Sequence, residues 1–156
     1  MTNPENTATF QWLNDNAEPF CPSKKVCTME CDENCPVFAN MIGCRLIEKG
    51  KVEEAKELFK IAIDNTPGYK HGAAWCNLGT AYNHLGYLKN ALESFQNAYG
   101  INPSNARAIE GLAASYAALK EFDKAIKRCD EYAAKFGEEG IAKLRAKIIA
   151  KMTGIN

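Results

Sequence analysis

The sequence lacks a surplus of charge of either sign: its 156 residues carry 19 Lys and Arg against 19 Asp and Glu. A neutral balance gives no electrostatic reason to expect nucleic acid or an anionic membrane as partner, because both call for a cationic footprint. There is no apolar run approaching the roughly 18 residues that a membrane-crossing helix needs. Residues 1–16 lack a charged start followed by an apolar stretch. That argues against a secretory leader and for the cytoplasm, where thiols stay reduced. Histidine is scarce: the two residues, His71 and His84, have no neighbour at metal-ligand spacing. Also missing are H-E-x-x-H, G-x-S-x-G and a phosphate-cradling glycine loop. Carboxylate pairs such as Glu53–Glu54 and Glu138–Glu139 fall at helix starts or turns, where solvent exposure accounts for them. No enzyme is expected.

What the chain does have is helical periodicity. Trp75, Leu78, Gly79 and Tyr82 fall on one helical face, and Ala91, Phe95 and Ala98 fall on a second after a polar break at Asn83–Gly86. Each stripe is narrow, so each helix needs a partner. Gly79 and Ala91 are small enough to let two helices approach, while Trp75, Tyr82 and Phe95 fill the space between them. Pro103 stops the second helix, since it has no N–H and clashes with the preceding turn.

The run W-x2-L-G-x2-Y, then A-x3-F, then P is complete between Trp75 and Pro103, and it closely resembles the tetratricopeptide repeat (TPR), a helix–turn–helix unit of about 34 residues. The pattern recurs upstream as Ala39, Ile42, Gly43, Leu46, Ala55, Phe59, Ala62 and Pro67. It recurs downstream as Ile109, Leu112, Ala113, Tyr116, Ala125, Cys129 and Tyr132. Gly43, Gly79 and Ala113 are 36 and 34 residues apart, so the first linker carries two extra residues. The resemblance implies an all-α protein: a right-handed superhelical stack of three helical hairpins over 36–69, 72–105 and 106–139. A solvating helix is expected within 140–156 and a Cys-rich N-terminal cap within 1–35. Terminal repeats would otherwise expose an apolar flank, and Ile141, Leu144, Ile148 and Ile149 suit the helix that covers one.

In this family the first helix of each pair lines a concave surface that holds ligands. The resemblance therefore implies a protein or peptide partner lying along Asn40, Cys44, Cys76, Asn77, Thr80, Asn83, Arg107 and Glu110. The lining is small and mostly neutral, which suits an extended peptide anchored by a few amide hydrogen bonds. Ordinary polar groove surface accounts for Asn77, Thr80 and Asn83 equally well. One branch of the family clamps a C-terminal carboxylate with Lys, Asn, Asn, Lys and Arg. The matching positions here are Asn40, Cys44, Asn77, Arg107 and Gly111. Only Asn77 matches and only Arg107 is compatible, which leaves one cation for a ligand that would need several. Chaperone-tail binding is therefore not expected. End-to-end stacking into a homo-oligomer stays open.

The compositional anomaly is cysteine. There are seven, four of them in Cys21-x5-Cys27-x3-Cys31-x3-Cys35. Three or four thiolates close a zinc or iron–sulfur site, and x3 spacing is within the range zinc sites use. Zinc leads, as a staple for a segment too short to build a core. An iron–sulfur cluster, serving electron transfer or assembly, is the first alternative, although the spacing departs from ferredoxin runs. A thiol-based redox sensor is the second. Packing as small hydrophobes competes with all three, and so do two disulfides if the compartment is oxidising. Cys44 and Cys76 stand as substitutes for Cys21 as fourth ligand. The leading reading is an interaction scaffold with a metal-stapled cap.

Overall fold

A computed structural model describes residues 35–65 and 72–154. Among the described residues seven helices follow one another: α1 (Pro36–Glu48), α2 (Val52–Asp64), α3 (Gly72–His84), α4 (Leu88–Ile101), α5 (Ala106–Ala118), α6 (Phe122–Phe136) and α7 (Ala142–Thr153). No strand occurs among the described residues. Cys21, Cys27 and Cys31, with the rest of the expected N-terminal cap, lie outside them.

The hairpins close in one way. In each, the turn bonds back to the helix it leaves: Lys51 N–H to Leu46 O, Tyr87 N–H to Tyr82 O and Glu121 N–H to Tyr116 O, all at 2.9 Å. This is the left-handed C-terminal cap, in which one residue with positive φ turns the chain and satisfies the last carbonyls. Gly50 (φ 76°) and Gly86 (φ 79°) fill that position in the first two hairpins, and Lys120 (φ 63°) fills it in the third. Asn105 starts α5 by accepting hydrogen bonds from the N–H groups of Arg107 and Ala108, the N-cap role its side chain favours.

Three larger core clusters run along the stack, beside a small one of Ala39, Ala62 and Ala74, and each of the three joins a hairpin to the helix that follows it. The first gathers Ile42, Leu46, Leu58 and Phe59 with Leu78 and Ala81 of α3. The second gathers Cys76, Ala91, Phe95 and Ala98 with Ala108 and Leu112 of α5. The third gathers Ala113, Ala117, Ala125 and Cys129 with Ile141 and Ile148. The α7 segment thus stands where a fourth repeat would, and covers a flank that would otherwise meet water. Arg145 fastens it with ion pairs to Asp130 (2.7 Å) and Glu138 (2.8 Å).

Close approach within a hairpin depends on glycine. A Cβ on Gly43 would come within 2.5 Å of the Phe59 ring, and one on Gly79 within 2.9 Å of the Phe95 ring. The third hairpin does the same job with Ala113 against the smaller Cys129, both fully buried.

On the opposite helices, Tyr99 of α4 donates to Glu131 of α6 (2.7 Å), and Arg128 lies over the Tyr99 ring. Glu131 also receives Arg128 and Lys135. Burial by itself pushes the Glu131 carboxyl up, but hydrogen bonds from Lys135, Tyr99 and Arg128 outweigh it and hold the group below the ordinary carboxylate value.

Candidate functional site

The first helices α1, α3 and α5 form one wall of the stack, and a chain of polar side chains crosses it. Asn77 stands in the middle, only 8% exposed. Its Nδ2 donates to Asn40 Oδ1 (2.9 Å) and to Cys44 Sγ (3.3 Å), and its Oδ1 accepts from an Arg107 guanidinium nitrogen (2.9 Å). Guanidinium is donor-only, so Arg107 fixes which way the amide points, and the amide in turn leaves two hydrogens for α1. Four residues on three helices are thereby tied into one network. Burial pushes the Cys44 thiol up and Glu48 pushes it the same way, against the opposing pull of Arg107. Cys44 is therefore held as a neutral acceptor rather than a reactive thiolate.

Beside this network lies a pocket of about 420 Å³, lined by Thr80, Asn83, His84, Phe95, Arg107, Glu110, Gly111, Ala114 and Leu144. Its floor exists because position 111 has no side chain. A Cβ there would fall 2.3 Å from the Phe95 ring. Through that gap the ring of Phe95, otherwise 4% exposed, borders the groove. Arg107 and Glu110 stand exposed on the rim, and Arg107 makes no ion pair among the described residues.

Most of the groove residues inferred from repeat register therefore meet. Asn40, Cys44, Asn77 and Arg107 form the network, while Thr80, Asn83, Arg107 and Glu110 border the pocket. Cys76 is a correction. It is 1% exposed and packs with Phe95, Ala98 and Leu112, because the adjacent small-residue face of α3 turns it into the second core. Its sulfur accepts a 3.7 Å approach from Asn105 Nδ2, and burial pushes its thiol up. It therefore does not line the groove.

Two pocket residues escape register reasoning. Leu144 arrives from α7, which belongs to no repeat, and Phe95 arrives from a second helix. His84, at the end of α3, borders the same pocket. Among the described residues no group of three His, Cys, Asp or Glu side chains could hold a metal ion. Cys35 is the one member of the cysteine cluster described, and it precedes α1 as its N-cap, without a side-chain capping bond.

Two family profiles for the tetratricopeptide repeat match this chain, one over residues 40–106 and the other over 85–148. The chain belongs to the tetratricopeptide repeat family. Solved structures agree on the fold of this TPR protein. The first TPR of Spaghetti (RPAP3), bound to the HSP90 peptide SRMEEVD, is 20% identical with a TM-score of 0.71, over 78% of this chain and 96% of that one. The Arabidopsis OM64 TPR domain is 16% identical with a TM-score of 0.69, covering 76% and 97%. The TPR2B domain of yeast Sti1, in its pHsp70 complex, is 18% identical with a TM-score of 0.67, covering 78% and 98%. No curated protein matches. The family is an interaction fold, and among the described residues no helix is long and apolar enough to cross a membrane.

Proposed function

We propose that this TPR protein is a cytoplasmic interaction scaffold that holds an extended segment of a partner protein along α1, α3 and α5. The observation that carries this reading is the Asn40–Asn77–Arg107 network. Its buried amide orients an exposed guanidinium beside an open pocket. A side chain fixed in advance loses little freedom when a ligand docks, so contacts to it contribute more to affinity. No catalytic step is assigned.

The solved relatives that carry HSP90 or pHsp70 ligands suggest an acidic chaperone tail as ligand, and the site residues speak against it. The position that would supply the clamp's arginine is Gly111, and Phe95 already occupies the space next to its Cα. Cys44 stands where an amide is wanted, and Arg107 is the one cation of the five positions. Titration with the peptide SRMEEVD is expected to give no saturable binding.

The groove reading itself is tested by selecting random linear peptides on the full chain and mapping a selected peptide by backbone NMR. Shifts concentrated on α1, α3 and α5 are expected. Shifts confined to α2, α4 and α6 would overturn it.

A further inference from the structure

The rim and floor of the pocket differ in chemistry, and the difference specifies a ligand. Phe95, Gly111, Ala114 and Leu144 give an apolar floor, open to the groove only because residue 111 is glycine. At its edge stands Arg107, exposed, without an ion pair among the described residues, and already held by Asn77. Glu110 stands on the same rim, one helical turn on.

We propose that the partner segment carries a bulky apolar residue beside a single acidic one. The apolar side chain fills the pocket over Phe95 and Gly111, and the carboxylate pairs with Arg107. This rests on the groove reading given above and narrows it. A carboxylate is the natural partner for a guanidinium whose orientation is already fixed, since the planar fork donates to both oxygens. Glu110 sets the limit. A second acid beside the first would face a like charge across the rim, which disfavours acidic runs and leaves room for a neutral or basic neighbour. The apolar anchor supplies the buried contact that a lone exposed ion pair does not.

The test uses the peptides selected on the full chain. Enrichment of a large aliphatic or aromatic residue next to one Asp or Glu is expected. In a selected peptide, changing that acid to its amide should weaken binding about tenfold to the wild type. The same change should have little effect on Arg107→Gln, giving a double-mutant cycle with clear coupling. Changing the anchor to alanine should weaken binding to the wild type but not to Ala114→Leu, whose side chain fills the pocket. The peptide-side changes leave the protein folded, so the result does not depend on the variants' stability. Binders that lack the pair, or that bind Arg107→Gln as well as wild type, overturn the proposal while NMR shifts on α1, α3 and α5 keep the groove reading. A synthetic Thr9–Asn16 peptide, which contains Phe10, Trp12, Leu13 and Asp15, is the competitor. If it displaces the selected peptides at lower concentration than they displace one another, the occupant is this chain's own segment and the proposal of a separate partner fails.

Discussion

The ring of Phe95 lies so close to Gly111 that a single methyl on the glycine would stand 2.3 Å from it. Phe95 belongs to the second hairpin and Gly111 to the third, so one missing side chain sets the spacing between repeats and opens the groove pocket. Gly111→Ala is expected to destabilise the protein by about 1–3 kcal/mol, the usual cost of overpacking a filled core. Phe95→Leu combined with Gly111→Ala should recover part of that loss. Urea unfolding of the three proteins checks it, and full additivity of the two changes would refute the contact.

Asn77 joins three repeats through one amide. Asn77→Ala leaves Asn40 and Arg107 without their shared partner and should cost about 1–3 kcal/mol. Asn77→Asp should be worse toward Asn40, because a carboxylate offers no hydrogen there. Thermal unfolding, with amide exchange at α1 and α5, reads both effects. Unchanged protection in α1 would show that the network is not what couples the repeats.

Lys120 occupies a left-handed position that glycine fills in the other two hairpins. A side chain in that conformation costs roughly 1–2 kcal/mol. Lys120→Gly should therefore raise stability, by about 1 kcal/mol once the extra freedom of glycine in the unfolded chain is set against the relief. A urea midpoint that falls would count against the strain.

Glu131 has its folded pKa below the unfolded one, because the hydrogen bonds from Lys135, Tyr99 and Arg128 outweigh its burial. Its contribution is thus complete above the ordinary carboxylate value of 4.5 and disappears as pH falls through the lower folded value. Denaturant midpoints should decline over that acidic window, and Glu131→Gln should flatten the decline. An identical slope in the variant would remove Glu131 as its source.

Cys21, Cys27, Cys31 and Cys35 are expected to hold about one equivalent of zinc in protein purified without oxygen. Elemental analysis and colour decide the matter, since a brown protein would mean an iron–sulfur cluster. Intact thiols with less than about a tenth of an equivalent of any transition metal would exclude both. Reversible oxidation that alters peptide affinity would instead favour the redox sensor.

Sequence periodicity was enough for the hairpins. Apolar residues at helical spacing, with Gly43, Gly79 and Ala113 opposite Phe59, Phe95 and Cys129, determine which helices pair, because only those faces can exclude water. The same register brought Asn40, Asn77 and Arg107 to one wall, since equivalent repeat positions point the same way in a stack. It failed at Cys76. A residue beside a repeat's small-residue face turns inward or outward by a few degrees of helix rotation, and neighbouring side chains set that rotation. Leu144 and Phe95 in the pocket were beyond it altogether, because residues from helices outside the first-helix register meet there by packing alone. Local spacing specifies an element and its buried face; which side chains from distant elements share one cavity is decided when the repeats dock.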